Sequence, residues 1–387
     1  MEVVISTIGR FHSFDLAREM LRRGALKVIF TGYPRFKLNQ EGIPQKQIKT
    51  FPWIQAPYMV TAPGHNGVKR FVEWQSITTF DNYVSSRLPD CDVFVALSSC
   101  GLKTGYAAQR KGSKYVCDRG SSHIRFQDQI LREEYDRIGL RWQGVDTRVI
   151  EREEQEYDRA HAITVPSRFV HDSFVRQGVD ARKLKMVPYG VDLSRFFPMD
   201  RPAKGEFQVL FVGTISVRKG FAYLVEAFKN LHHPKKSLVI VGKVESNCEK
   251  LLKLVAARPD VRLLGHLPQP KLKDIMSRSH VMVLPSLEEG LALVQAQAMA
   301  CGCPVIGSAH TGAADLFADG VEGYITPIRD TDAITRGLQA LADEPELRNK
   351  MSESAQHRVR QLGGWGTYGE RIYSVFQALV EGPSVRE

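Results

Sequence analysis

The sequence predicts an α/β protein with two parallel sheets, each covered by helices on both faces. Three observations point to this. Short apolar runs recur along the chain and alternate with amphipathic stretches, as expected for strands buried on both sides. The alternation stops over "DLSRFFPMDRPAKGEF" (192–207), which carries prolines and charge, and then begins again. At 387 residues the chain is also too long for one ordinary core and suits two domains. The expected division is 1–191, then 205–364, with a final helix over 365–383.

The elements follow in order. "EVVIST" (2–7) reads as a first strand and "IGRFHS" as its loop. Phe14, Ala17 and Leu21 then recur at helical spacing up to Gly24. "KVIFTG" (27–32), "CDVFVALSS" (91–99), "SKYVCDR" (113–119) and "AHAITVPS" (160–167) continue the first sheet. "QVLFVG" (208–213) opens the second. The helix behind it places Phe221, Leu224, Val225, Phe228 and Leu231 on one face. "SLVIVGK", "VRLLGHL", "VMVLPS" and "CPVIGS" are its further strands, and "YGERIYSVFQALV" (368–380) has helical apolar spacing. Two Rossmann-like sheets of this kind suggest a ligand held between the carboxyl ends of their strands.

Composition narrows the function. With 43% hydrophobic residues, the chain is expected to be an ordinary soluble protein. No run of about 18 apolar residues predicts a membrane span, and the first residues lack the pattern of a signal peptide. A cytoplasmic protein is expected, with its six cysteines reduced and no metal site. Net charge is +10, and residues 1–190 hold 29 Lys and Arg against 21 Asp and Glu. A basic N-terminal half suits an anionic partner, such as a membrane surface. Nucleic acid is disfavoured, because basic residues and aromatics do not interleave.

Two loops are placed to do chemistry. In "VGTISVRKG" (212–220) a strand ends at Gly213, and Arg218 and Lys219 stand before the next helix. Cations at a helix N-terminus suit a diphosphate; a solvated surface loop is the plainer alternative. In "LEEGLALVQAQAMACGCPV" (287–305), Glu288 and Glu289 precede a helix of small residues. Helix capping would explain carboxylates there, whereas Gly290 would let the backbone approach a ligand.

The second stretch resembles the signature of retaining glycosyltransferases of the GT-B fold, family 4 (the glycosyl transferases group 1). Glu289, Gly290, Leu293, Ala298, Met299, Ala300, Gly302, Pro304 and Val305 match that pattern. "VGTISVRKG" resembles the family's phosphate loop, and residues 165–198 resemble the entry to its interdomain linker. The resemblance implies two Rossmann-like domains facing across a cleft, with the last helix returning to the first domain. It implies a nucleotide-sugar donor, a glycan or lipid-linked acceptor, and no metal or other cofactor. The donor diphosphate would meet Arg218 and Lys219, with Gly213 beside them and Gly9 and Arg10 across the cleft. Glu289 would contact the sugar hydroxyls. Gly290, Leu291, Ala292 and Leu293, with His266 and Leu267 after another strand, complete the expected donor site. A histidine near the reacting carbon is matched by type by His123, while Asp118 and Arg119 fit the strand end better; a helix-cap neighbour or a surface histidine is the alternative for His123. The leaving phosphate is often assigned the acceptor's proton, so no protein nucleophile is sought.

Gln297 stands where the pattern has a second glutamate for the ribose; it keeps an acceptor and gains donors. Thr214 replaces a common arginine, and Leu291 and Ala292 replace Phe-Gly. These departures leave open a transferase-shaped scaffold that has lost chemistry. A metal-dependent transferase would use Asp90-Cys91-Asp92, although these begin an apolar strand. A nicotinamide dehydrogenase would need a GxGxxG after a strand, which is missing.

Overall fold

The computed structural model describes residues 1–54 and 66–382. The N-terminal half contains β1 (Val3–Thr7), α1 (Ser13–Arg22), β2 (Leu26–Thr31), β3 (Ile48–Thr50), α2 (Asn66–Ser85), β4 (Val93–Leu97), α3 (Leu102–Arg110), β5 (Lys114–Asp118), α4 (Ile124–Arg137), α5 (Thr147–Arg159), β6 (Ala162–Val165), α6 (Arg168–Arg176) and β7 (Leu184–Met186). Its seven strands are all parallel, in the order β3-β2-β1-β4-β5-β6-β7. Six more strands form the second sheet. Its elements are β8 (Phe207–Val212), α7 (Phe221–Asn230), β9 (Lys236–Val241), α8 (Glu249–Ala256), β10 (Val261–Gly265), α9 (Gln269–Arg278), β11 (Val281–Leu284), α10 (Leu293–Ala300), β12 (Val305–Ser308), α11 (Ala313–Leu316), β13 (Gly323–Thr326), α12 (Thr331–Asp343), α13 (Pro345–Leu362) and α14 (Trp365–Glu381). These strands are parallel too, in the order β10-β9-β8-β11-β12-β13.

The central strands are nearly all apolar because helices cover them on both sides. Every residue of β1 is buried, as are all four of β11 and of β12. Each sheet therefore has two cores, one per face. The final helix does not stay with the second sheet. Its Tyr368, Ile372 and Phe376 are buried among Phe14, Leu16 and Met20 of α1. Burying Phe376 completely is worth about 2 kcal/mol, so α14 is a substantial tie between the two ends of the chain. Arg23 adds a hydrogen bond to the Gly366 carbonyl at 3.1 Å.

Strand order reverses between β1 and β4, and again between β8 and β11. Loops leaving such adjacent carboxyl ends diverge and open a crevice. The loops after β1, β5, β8 and β11 thereby become the walls of one site. The described helices include none long and apolar enough to cross a membrane.

Candidate functional site

The site is built on two tight turns. After β8 the chain reaches Gly220, whose φ is +64°. A Cβ there would sit 2.0 Å from the Pro285 carbonyl oxygen. Only glycine allows this approach, which presses the start of α7 against the loop leaving β11. The Leu287 N–H donates to the Arg218 carbonyl at 2.8 Å and fixes the two loops together. Arg218 and Lys219 are thus held against Glu288 and Glu289.

Glu289 pairs with the Lys219 ammonium, and with Arg218 Nη2 at 3.3 Å. Glu288 is fully buried and faces the other way. Its Oε1 accepts from Ser121 Oγ at 3.0 Å, and from the Ser122 N–H and Oγ, both at 2.8 Å. Its Oε2 accepts from Gln127 Nε2 at 3.1 Å and pairs with Arg218 Nη1 at 3.2 Å. Burial pushes this carboxyl up, but Arg218, the Ser122 donors and Arg119 together hold it below the usual glutamate value. One carboxylate therefore joins Arg218 to the N-terminal half. Neither glutamate caps α10, whose N-cap is Ala292.

Further contacts close the two halves on each other. Ser167 Oγ donates to the Gly290 carbonyl at 2.7 Å, and Tyr223 Oη to Glu134 at 2.6 Å. Arg329 Nε also donates to Glu134, at 2.7 Å. A Cβ on Gly290 would lie 1.8 Å from the Gly120 carbonyl oxygen. Gly290 is thus needed for the approach of Gly120, where the sequence suggested approach of a ligand. Gly290→Ala is expected to force the halves apart and to cost about 1–3 kcal/mol, read as a lower urea midpoint.

Other expected residues fall differently. Arg10 Nε is paired with Glu41 at 2.5 Å, and Glu41 also holds Arg18, so Arg10 is already engaged outside the Arg218–Lys219 cluster. Gly9 lies against the Phe11 ring, close to where a Cβ would be. Leu291 and Ala292 are buried in the C-terminal cores, which leaves only their backbone to meet a ligand. Leu293 opens α10 and is half-buried. His266 is exposed and Leu267 half-buried beyond the edge strand β10. Gly213 follows β8, and a Cβ there would lie 3.6 Å from Lys219 Cε. The Gln297 side chain is half-buried and makes no hydrogen bond among the described residues.

His123 is not in the crevice. It is the N-cap of α4, its Nδ1 accepts from the Arg125 N–H at 3.2 Å, and its ring packs on Tyr157 and Phe174. Burial, with Arg119 and Arg125 nearby, pushes its pKa down to about 3. A histidine kept neutral by the fold stabilises it above about pH 6.5, the ordinary histidine value, and that stability is lost as pH falls toward 3. Stability is expected to drop by about 1.4 kcal/mol per pH unit in that window. His123→Asn, which can cap but not titrate, should remove this part of the slope in urea melts at stepped pH.

Asp90 and Asp92 lie at the amino end of β4, the end opposite the crevice. Asp92 accepts from the Glu2 N–H at 2.6 Å, and Asp90 pairs with Lys111. Among the described residues no group of His, Cys, Asp and Glu could hold a metal ion.

His12, which the sequence reading did not single out, meets Asp118, which it placed at the strand end facing the cleft, at the carboxyl ends of β1 and β5. His12 Nε2 lies 2.6 Å from Asp118 Oδ2. Thr164 Oγ1 donates to the other carboxylate oxygen at 2.8 Å.

Comparison with known proteins agrees with this architecture. A family model described as glycosyl transferases group 1 matches residues 195–358. An alpha-D-kanosaminyltransferase from Streptomyces kanamyceticus is 29% identical over 213 residues, 54% of this chain and 52% of its own. The chain spans about half the length of the curated relatives it matches. Among solved structures, sucrose-phosphate synthase from Thermosynechococcus elongatus superposes with a TM-score of 0.76 at 19% identity, covering 98% of this chain and 99% of that one. Anabaena HepE, solved in complex with UDP, gives 0.71 at 15%, covering 98% and 100%. At these identities the likeness is one of fold, and that fold is GT-B.

Proposed function

From the match of residues 195–358 to the glycosyl transferases group 1, we propose that the chain is a member of that family and moves a sugar, with retention, from a nucleoside diphosphate sugar to a glycan or lipid-linked acceptor. The observation that carries this reading is the convergence of Arg218, Lys219 and Glu289 at the start of α7. The two cations face carboxylates that a diphosphate can replace. On binding, Arg218 and Lys219 would transfer to phosphate oxygens, in a place where the helix N-terminus also favours negative charge. Glu289 would then be released to accept hydrogen bonds from sugar hydroxyls.

As the bond to the anomeric carbon breaks, charge grows on the leaving diphosphate. Arg218 and Lys219 stabilise that charge more strongly than the ground state. Two fixed side-chain cations can supply this, so the reading asks for no metal. Gln297 brings an unengaged amide for the ribose, which favours a working donor site over a scaffold that has lost chemistry. The UDP held by Anabaena HepE supports a nucleoside diphosphate here.

The acceptor side is basic and partly apolar. Phe11, Phe36 and Trp53 are 53%, 72% and 75% exposed and follow the neighbouring strands β1, β2 and β3. Arg35, Lys37 and Lys49 lie in the same segment of the chain. This pattern supports docking at an anionic membrane surface by a protein that is otherwise cytoplasmic. Residues 55–60 of the stretch "FPWIQAPYMV" lie outside the described residues.

The reading is tested by incubating the protein with UDP-, GDP- and ADP-hexoses and following the released diphosphate, with the product anomer assigned by proton NMR. Product of inverted configuration would exclude retention, and the absence of turnover would count against the reading. Co-sedimentation with phosphatidylglycerol vesicles but not phosphatidylcholine vesicles is expected. Equal binding to the two would remove the membrane surface.

A further inference from the structure

The two carboxylates of the site are partnered differently. Glu288 has donors on the N-terminal half: Ser121 Oγ, the Ser122 N–H and Oγ, and Gln127 Nε2, all between 2.8 and 3.1 Å. Glu289 has none of this kind. Its side chain is 10% exposed, and among the described residues its carboxylate meets only cations, the Lys219 ammonium and Arg218 Nη2 at 3.3 Å. The Glu289 N–H is itself spent on the His310 carbonyl at 2.9 Å.

Charge balance then sets what a diphosphate does here. In the resting site the charges of Arg218 and Lys219 cancel those of Glu288 and Glu289. A diphosphate ester brings two further negative charges and draws both cations to its oxygens. Glu288 keeps its hydroxyl, amide and backbone donors and stays ionised. Glu289 is left buried and without a partner beside a dianion, the setting in which a carboxyl binds a proton. A sugar on the diphosphate removes that need, because its hydroxyls donate to the carboxylate.

We propose that Glu289 takes up a proton when a nucleoside diphosphate without a sugar occupies the site, and stays ionised when the sugar is present. The proposal rests on the transferase reading and deepens it: the site separates substrate from product by the protonation of one carboxylate. The proton comes from water. It returns there when the diphosphate departs and the two cations close on Glu289 again. The sugar-free product is therefore held less tightly as pH rises, whereas the sugar nucleotide is not.

The charged groups around Glu289 come from several loops. Arg218 and Lys219 precede α7, Glu288 is its chain neighbour, and His310 follows β12. Glu245, after β9, acts on Arg218, and Arg119, at the end of β5, acts on Glu288. Burial holds the His310 imidazole below the usual histidine value, and its Nδ1 is engaged with the Leu287 carbonyl at 2.9 Å. His310 is thus mostly neutral at pH 6.5 and above, and does not replace the carboxyl as proton acceptor.

Calorimetric titration in buffers of different ionisation enthalpy counts the protons bound with a ligand. The probes are the terminal methyl esters of UDP, GDP and ADP, which carry neither a sugar nor a phosphate that titrates near neutrality, and UDP-, GDP- and ADP-glucose. At pH 6.5 the wild type should take up protons with the methyl ester it binds, and none with the glucose derivative of the same base. Affinity for the ester should fall by up to about tenfold per pH unit as pH rises, the limit for one proton. Glu289→Gln keeps the side chain's size but cannot titrate. It should bind the ester without proton uptake and with a flat pH profile. The absence of uptake by the wild type overturns the proposal without any variant. Uptake that persists in Glu289→Gln overturns it as well, since another group then holds the proton. Equal uptake with the ester and the glucose derivative overturns the separation of product from substrate. A wild type that binds none of these probes overturns the transferase reading, and the proposal with it.

Discussion

Lys219→Ala is expected to lose roughly 100- to 1,000-fold in turnover, the usual cost of removing one group that stabilises a developing anion. The protein should still melt cooperatively. Lys219 lies at the end of a surface loop and is 15% exposed, and its partner Glu289 keeps Arg218 at 3.3 Å. The loss belongs in kcat more than in KM, because the diphosphate's charge is greatest as the sugar departs. Steady-state kinetics on the sugar nucleotide that the wild type turns over would check this. A variant within threefold of wild type would remove Lys219 from the phosphate site. Arg218→Ala should be worse for folding, since Arg218 also answers the fully buried Glu288.

Glu288→Ala is expected to carry the largest stability cost, of the order of 3–5 kcal/mol, as when one partner of a buried charge pair is removed. The lost carboxylate accepts from Ser121, Ser122 and Gln127 in one half and pairs with Arg218 in the other. Its removal leaves the Ser122 N–H without an acceptor in a dry place. The cost should appear first as separation of the halves. A larger radius of gyration in X-ray scattering should accompany a lower urea midpoint. Glu288→Gln keeps one acceptor oxygen and should recover part of both. An unchanged radius together with an unchanged midpoint would mean that the latch holds nothing.

These two residues also show what can be read from a sequence of this kind. β8 and β11 are legible because their side chains are buried on both faces, so the chain spells unbroken apolar runs. The polar edge strands β3 and β7 are not. "IKT" and "LKM" have three residues each and are only partly buried, so they carry no period to detect. β13 begins with a glycine and has four residues.

The site divides in the same way. Arg218, Lys219 and Glu289 are legible because each sits at a fixed offset from a strand end, and strand ends can be found. The role of Glu288 was hidden: its serine partners lie 166 and 167 residues away and form no pattern of their own. His12 and Asp118 are 106 positions apart, and only the β1-β4-β5 order brings them together. His123 misled in the opposite direction. A histidine after a strand can serve chemistry or cap the next helix, and the choice depends on whether Tyr157 and Phe174 lie beneath it. Arg10 was drawn off by Glu41, which arrives from a segment after β2 that has no regular spacing.

The central claim is that Arg218 and Lys219 form a nucleoside diphosphate site. The most direct test is the thermal shift of the wild type and Lys219→Ala against UDP, GDP, ADP and NAD. At about 100 times its dissociation constant a ligand adds roughly 2.7 kcal/mol, enough to see in a melt. One diphosphate should raise the wild-type midpoint and fail to raise that of the variant, with NAD inert in both. A shift of equal size in the two proteins, or none with any diphosphate, would contradict the account.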